Sequence, residues 1–235
     1  MQHVVDLFMD TLWNNPEIFY VAKQVRYKES RFNNRMVQSA NLVGISYAIR
    51  SQQLPLCQKK LDEEVKKALA YAGKESRPEW IALKLHDYII QTCEYDIAAA
   101  EKNDESIAAR TAYSVFVRHQ AVCEGYTMAY RYLLNAVRIQ SEEIVSEAMN
   151  HCWNYVNING RWYHVDVTYD DPVFVGNSGG IFSRIMGGLA KNMNGISRKH
   201  FLMSDNKACQ TGHHGWTTGG LPPALDKTYD NLNWI

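Results

Sequence analysis

The dipeptide Asn159-Gly160 lies between two segments rich in aromatic and β-branched residues, and it constrains the fold more than any other feature of the sequence. Asn-Gly is the strongest short-range signal for a two-residue hairpin loop, because both residues accept positive φ. We therefore predict antiparallel strands over residues 153–158 and 161–168. In this hairpin Ile158 pairs with Arg161, which sets the register of every pair further out.

The predicted register brings two chemically active side chains together. Counting outward, Trp153 lies opposite Asp166 and His151 opposite Thr168. Side chains alternate between faces, so His151 and Asp166 share one face and are diagonal neighbours, about 7 to 8 Å apart along the backbone. A carboxylate beside an imidazole fixes its tautomer and stabilises its protonated form. Trp153 and Trp162 share this face and are expected to wall a substrate cleft.

Cys123 is the candidate nucleophile, in the segment Val122-Cys123-Glu124-Gly125-Tyr126. Apolar residues at helical spacing follow it, so we predict that a helix begins at the cysteine. The sulfur would then lie near unpaired backbone donors and the positive end of the helix dipole, and a nearby imidazolium would favour the thiolate further. Glu124 and Gly125 are expected to border the cleft, since Gly125 would let backbone or substrate approach beside the sulfur.

Several segments together resemble the transglutaminase-like superfamily, in its bacterial branch, over roughly residues 60 to 205. They are Leu85-His86-Asp87-Tyr88-Ile89-Ile90, Tyr113, Val122 to Tyr126, His151-Cys152-Trp153-Asn154, Trp162 to Pro172 and Phe201 to Asp205. The resemblance implies an α+β, papain-like cysteine proteinase fold with helices packed on an antiparallel β-sheet, and a triad of Cys123, His151 and Asp166. Tyr113 precedes the cysteine loop and is a candidate oxyanion donor, whereas His86 and Asp87 are expected to serve packing or capping.

The resemblance also implies an activity. Such families make or break acyl bonds through a thioester, as protein crosslinkers, peptidases or amidases, and we expect a thiol-dependent acyl-transfer enzyme acting on amide bonds of peptides or proteins. Hydrolysis is slightly favoured because water needs no second binding site. The alternatives are a buried core cysteine at 123, a structural His-Asp pair in a degenerate enzyme, and a catalytically silent module that binds a peptide or cell-wall polymer.

The rest of the chain is divided into an N-terminal α/β extension, residues 1–56, and a catalytic domain, residues 57–235. We predict one helix in the first 13 residues, strands over 18–27 and 42–49 separated by the polar stretch 28–41, a helix from Leu61 to a C-cap at Gly73, and a second helix capped by Ser76. Residues 176–194 are rich in Gly, Ser and Asn and predict a long loop of the kind that often forms a lid.

The charge balance argues against a nucleic-acid partner. Among 235 residues, 25 Lys and Arg balance 25 Asp and Glu, and the sequence has no dense basic run. No stretch approaches the roughly 18 apolar residues of a membrane span, and the N-terminus lacks a secretory signal. Members of the family are often exported, so an extracellular or cell-surface location is favoured if a leader has been removed. The oligomeric state is not predicted.

No cofactor and no metal are expected. Six residues could offer metal ligands: Cys152, His164, His200, Cys209, His213 and His214. Their spacings match no zinc template, and strand alternation directs Cys152 to the face opposite His151. The five cysteines are odd in number and contain no CxxC pair, so a disulfide framework is not expected either.

Overall fold

The N-terminal part is a helix followed by a long β-hairpin. In a computed structural model, the residues described are 2–32, 36–102, 109–171, 196–232 and 234. Helix α1 (Gln2–Asn14) precedes strands β1 (Val21–Phe32) and β2 (Met36–Tyr47), which pair antiparallel. The polar stretch 28–41 was predicted to separate the strands, and this was wrong. Residues 28–32 and 36–41 belong to the two paired strands, because ladder hydrogen bonds join backbone groups and need no apolar side chains.

Three helices form the layer that supports the site. These are α2 (Leu54–Ala72), α3 (Pro78–Thr92) and α5 (Cys123–Ala136). Gly73 follows α2 with φ of 67°, as its predicted C-cap position requires. The predicted cap at Ser76 was wrong, since Arg77 is the N-cap of α3 and Pro78 takes the first helical position, where its missing N–H costs nothing.

Short elements connect α3 to α5 and lead the chain to the cysteine. They are β3 (Glu94–Tyr95), α4 (Ile97–Glu101), one turn of π-helix (Ser114–Arg118) and β4 (Gln120–Ala121). Strands β3 and β4 pair in parallel, with Tyr95 beside Ala121. This pairing places Tyr95 two residues from the start of α5 across the ladder.

A three-stranded antiparallel sheet carries the other half of the site. Its strands are β5 (Ser141–Ser146), β6 (His151–Ile158) and β7 (Arg161–Val165), in the order β5-β6-β7. Ile158 pairs with Arg161 as predicted, and the loop residues Asn159 and Gly160 have φ of 54° and 82°. The ladder ends at Asn154 and Val165, so the predicted pairs further out were wrong. The chain leaves the sheet at Asp166 to begin helix α6 (Val167–Asp170).

The two faces of this sheet are covered by different parts of the chain. One face belongs to the main core with α2, α3 and α5. The other is covered by the segment after residue 204, which contains α7 (Asp205–Gln210), and buries a second cluster. Its buried members are Ile144, Trp153, Tyr155, Trp162 and Ala224. Helices packed on an antiparallel sheet give the α+β, papain-like architecture that the sequence predicts.

The N-terminal part is attached to the main core. Phe19 is buried in that core, and Trp13 and Tyr20 pack against it. The boundary predicted after residue 56 falls inside α2, which begins at Leu54, so the proposed division between extension and catalytic domain would lie before that helix. The predicted loop 176–194 lies outside the described residues. Within the described part of the chain, none of the helices has the length and apolar character needed to cross a bilayer.

Candidate active site

Cys123 is the first residue of α5, at the point where the chain leaves an extended conformation. Val122 is the N-cap, has extended φ and ψ, and makes no side-chain capping bond. The first turn of a helix has backbone N–H groups without intrahelical partners, and the helix dipole is positive there. The sulfur of Cys123, a residue of intermediate exposure, therefore lies where negative charge is stabilised.

His151 and Asp166 meet through a short hydrogen bond. His151 Nε2 lies 2.7 Å from Asp166 Oδ2, and both side chains are buried. Asp166 comes close by capping α6, where its Oδ1 accepts a bond from Tyr169 N at 2.9 Å, rather than by pairing across the sheet. The predicted neighbours are thus together, although the strand pairing that was expected to bring them together is absent.

Cys123 and His151 shift each other's pKa. A hydrogen bond from Cys152 is the largest cause that holds the pKa of the Cys123 thiol well below its usual value, and the bond and charge of His151 act in the same direction against burial. Burial lowers the pKa of His151, but Asp166 and then Cys123 outweigh it and raise this pKa to about 10. A thiolate–imidazolium pair is favoured between these two pKa values.

Cys152 is a member of the site that sequence reasoning missed. Alternation along β6 was expected to direct it to the face opposite His151. Helix α5 packs against β6, however, and Cys152 affects the ionisation of Cys123. Thr127, one turn along α5, lies 3.3 Å from Cys152 O and 3.7 Å from Cys152 Sγ. The bond to Cys123 and burial raise the pKa of Cys152 well above its usual value, so it remains a thiol that can donate.

A second histidine binds the same carboxylate oxygen. His213 Nε2 lies 2.9 Å from Asp166 Oδ2, and its side chain is fully buried. Burial opposes ionisation of Asp166, but the charges and hydrogen bonds of His151 and His213 hold its pKa far below the usual value. Among the described residues, these three are also the one group that could bring three metal ligands together, with ligand atoms within 4.8 Å of one another. A metal there would compete with the hydrogen bonds that His151 and His213 make to Asp166.

Residues 66–167 match the family model described as the transglutaminase-like superfamily. This segment contains Cys123, His151 and Asp166, and it forms the layered core described above. The chain has a transglutaminase-like core. His213 lies beyond the matched residues, in the segment that covers the second face of the sheet.

Three solved structures are similar to the chain at low sequence identity. A structure described as a TGase has 13% identity and a TM-score of 0.44, covering 70% of this chain and 48% of that one. A protein from Cytophaga hutchinsonii, provisionally assigned as a cysteine protease, has 16% identity and a TM-score of 0.37, covering 65% and 64%. A provisional protease from Parabacteroides distasonis has 12% identity and a TM-score of 0.36, covering 60% and 35%. The chain thus spans less than two thirds of each. Comparison with curated proteins gives no sequence match.

Trp153 and Trp162 lie on the covered face of the transglutaminase-like core. They are 1% and 7% exposed and belong to the second cluster, so the expectation that they wall an open cleft was wrong. Alternation correctly placed them on one face, but it could not show that the C-terminal segment covers that face. Trp153 stacks on His151 with ring centroids 5.7 Å apart and thereby supports the imidazole.

Glu124 and Gly125 are buried beside the cysteine rather than open to a cleft. Glu124 forms an ion pair with Arg110 at 2.9 Å. A Cβ added to Gly125 would lie 2.8 Å from Ala109 O and 2.7 Å from the Ala121 side chain. The predicted close approach at Gly125 is therefore to the protein's own backbone, and it lets α5 begin tightly against the preceding loop.

Tyr113 makes contacts that direct it away from an oxyanion role. Its ring stacks on Phe19 at 4.8 Å, and burial together with a hydrogen bond to Cys57 raises its pKa to about 12. Tyr95 lies close enough to the site to be affected by its charges, because burial and then the charges of Cys123, Cys152 and Asp166 raise its pKa. Tyr95 lies 28 residues before the cysteine, and no sequence pattern predicts that it approaches the site.

A separate polar cluster lies at the other end of α6. Asp170 accepts bonds from His200 Nδ1 at 2.9 Å and from Ser197 Oγ at 2.6 Å, and it lies 3.2 Å from His86 Nε2. Asp87 in turn contacts His86 at 3.0 Å and pairs with Arg198 at 2.7 Å. His86 and Asp87 therefore join α3 to α6 and to the following segment, which agrees with the structural role expected of them.

Proposed function

We propose that the protein is a thiol-dependent acyl-transfer enzyme that acts on amide bonds of peptides or proteins, with Cys123 as nucleophile, His151 as base and acid, and Asp166 as the residue that orients His151. One observation carries the proposal. The His151 imidazole, which helps to lower the pKa of the Cys123 thiol, is held at Nε2 by the Asp166 carboxylate at 2.7 Å. This leaves Nδ1 as the ring nitrogen that would exchange a proton with the sulfur.

The first half-reaction follows from this arrangement. The Cys123 thiolate attacks the amide carbonyl carbon, and the C=O electron pair moves to oxygen. Backbone N–H groups in the first turn of α5, which carries no capping side chain, are the donors nearest the developing oxyanion. The C–N bond then breaks, and the leaving amine takes the proton of the His151 imidazolium, which leaves a thioester on Cys123 and a neutral imidazole.

The second half-reaction resolves the thioester. Water or an amine attacks the thioester carbonyl, the neutral His151 accepts the proton, and the C–S bond breaks to restore the ion pair. We favour water, and hence a peptidase or amidase, because crosslinking needs a second site that binds an amine and excludes water. The family resemblance likewise favours an extracellular or cell-surface location, which fractionation of the producing cells would test.

The experiment labels the nucleophile without knowledge of the substrate. Wild type and a Cys123→Ala variant are treated with p-nitrophenyl acetate, and acetylated residues are mapped by mass spectrometry. We expect an acetyl group on Cys123 in wild type and none at this position in the variant. Because Cys209 is exposed, a Cys209→Ser variant is the matched control and should acylate as wild type does.

Substrate class and acceptor are tested in a second step. Casein and a glutamine-donor peptide are incubated with each protein, with and without an alkylamine. New peptide ends or released ammonia would support hydrolysis, and amine incorporation would support crosslinking. If wild type and Cys123→Ala give the same products and neither is acetylated at residue 123, the enzymatic proposal is wrong and a binding module remains.

A further inference from the structure

We infer that His213 is a positioning residue of the triad, which fixes the Asp166 carboxylate so that it can orient His151. The inference rests on the proposed function and adds a fourth member that comes from outside the matched segment. It is carried by the contact of the fully buried His213 with the carboxylate oxygen that also binds His151.

The hydrogen-bond directions follow from the charge of Asp166. Its oxygens carry no proton, because its pKa is held far below the usual value, so they can only accept. Both His151 Nε2, at 2.7 Å, and His213 Nε2, at 2.9 Å, must then be protonated and donate to the same oxygen. Tyr169 N donates to the other oxygen at 2.9 Å. Three donors from three segments therefore determine the carboxylate plane.

The imidazole of His213 is itself held in a defined orientation. Its ring packs edge-on against Trp153 at 4.8 Å and lies 4.9 Å from the ring of Tyr169. Its backbone N–H bonds to Ala208 O at 3.0 Å, at the end of α7. A side chain that is fully buried, ring-packed and aimed at a reactive carboxylate can transmit its position to that carboxylate.

Sharing one oxygen also tunes the strength of the Asp166–His151 bond. An oxygen that accepts two hydrogen bonds is a weaker partner for each, so His213 moderates how strongly Asp166 stabilises the His151 imidazolium. The ionisable groups that face His213 are Asp166, His151, His164, His200 and Tyr169. Only Asp166 bonds to its Nε2 among the described residues, so removal of this donor acts first on the triad.

Three substitutions at one position separate positioning from mere structure. His213→Gln keeps an amide N–H at the place of Nε2, His213→Asn has the same amide one bond too short, and His213→Leu removes the donor. We expect acylation of Cys123 by p-nitrophenyl acetate to fall on the order of 10-fold in the Asn and Leu variants and to stay within about threefold of wild type in the Gln variant. The neighbouring exposed His214→Leu is the control and should have no effect.

The pH dependence of the acylation rate is a second measurement, and a purely structural role of His213 would leave it unchanged. The acylation rate is measured from pH 5 to 11. Loss of the second donor strengthens the remaining bond to His151, so the alkaline limb should move upward on the order of one pH unit in the Asn and Leu variants and stay in place in the Gln variant.

The results distinguish this inference from the proposed function. If folded Asn and Leu variants, checked by circular dichroism, acylate Cys123 at the wild-type rate with unshifted limbs, His213 has no positioning role while the proposed function stands. If the Leu variant does not fold, the acylation rates of the Asn and Gln variants are compared instead. Equal rates in these two variants would overturn the inference. If wild-type Cys123 is not acylated at all, the proposed function itself fails.

Discussion

Two aspartates at opposite ends of α6, the N-cap Asp166 and the last residue Asp170, each bind two histidines, yet their surroundings differ. Asp166 lies between His151 and His213, and Asp170 lies between His86 and His200. All four histidines are buried. The two clusters differ in the residues beside them. The thiol of Cys123, the proposed nucleophile, lies beside the first cluster, whereas the ion pair of Asp87 with Arg198 lies beside the second.

The comparison shows that a buried histidine–carboxylate pair does not define chemistry by itself. At Asp170 the charges are balanced internally, since Asp87 pairs with Arg198 and bonds to His86. Burial lowers the pKa of His86, but bonds with Asp170 and Asp87 outweigh it and raise the pKa to about 9. The Asp170 cluster joins three segments of the chain. The Asp166 cluster, in contrast, affects the pKa of Cys123 through His151.

The sharpest test exchanges the two carboxylates for amides. Asp166→Asn should reduce acylation of Cys123 by roughly 10⁴-fold, because an amide can hold the wrong imidazole tautomer. Asp170→Asn should change the rate per folded molecule by less than about 10-fold, since its cluster does not touch the sulfur. Burst kinetics with p-nitrophenyl acetate measure both. Equal losses in the two variants would remove the distinction drawn here.

Asp170 should matter more for the stability of the fold than for the acylation rate. Asp170→Asn leaves the buried, protonated His86 short of a counter-charge, and we expect a loss of about 3 to 5 kcal/mol in the free energy of unfolding. Urea unfolding monitored by tryptophan fluorescence measures it. The pair of Lys59 with Glu63, whose side chains are both more than half exposed, provides a control, and Glu63→Gln should leave the midpoint nearly unchanged. A stable Asp170→Asn protein would contradict the structural role.

The second cluster should also make stability depend on pH. Because the folded pKa of His86, about 9, is above the unfolded value of 6.5, its contribution is complete below pH 6.5 and is lost as pH rises through about 9. The loss is at most about 3 kcal/mol. His86→Gln should be less stable than wild type at pH 6. Its free energy of unfolding should not show the decline with rising pH that comes from His86. Parallel curves for the two proteins would show that His86 does not titrate in this window.

Cys152 tests the electrostatics of the first cluster. Cys152→Ala removes the largest single cause of the low thiol pKa at Cys123, so alkylation by iodoacetamide at pH 6 should slow by about 10-fold, the loss expected for one hydrogen bond to a charged group. Mass spectrometry restricted to the peptide with Cys123 gives the rate. Cys209→Ser is the matched control. An unchanged rate would leave His151 as the main cause.

The smallest expected effect concerns metal. If the Asp166 cluster is held by protons, as proposed, dialysis against EDTA should leave the acylation rate within error of the untreated enzyme. Micromolar Zn²⁺ should inhibit, because it would compete for His151 and His213. Activity that is lost with EDTA and restored by a metal would reassign the three residues as ligands.

The sequence predicted those parts of the fold and site that depend on local pattern. The turn at Asn159-Gly160 fixed the hairpin register at its inner pairs, and the motif around Cys123 marked the start of α5. The second hairpin strand was predicted to continue through Asp166 to Thr168, although an aspartate before Val-Thr-Tyr also matches a helix cap. Capping changed the route by which Asp166 reaches His151.

The rest depended on contacts between distant segments. His213 lies 47 residues from Asp166, and no spacing rule connects them. Trp153 and Trp162 were placed on a common face, but which segment covers that face is decided by the tertiary path of the C-terminal part. Tyr113 was selected for its position before the cysteine, and position along the chain does not determine the direction of a hydroxyl.

The covering of the second sheet face by the C-terminal segment has a practical consequence for anyone who wishes to produce this protein in pieces. A fragment cut at the limits of the family match, residues 66–167, would present Trp153, Tyr155 and Trp162 to water and would invite aggregation. Tyr155 also bonds to Pro222 O at 2.9 Å. Any truncation should therefore retain the segment through Trp234.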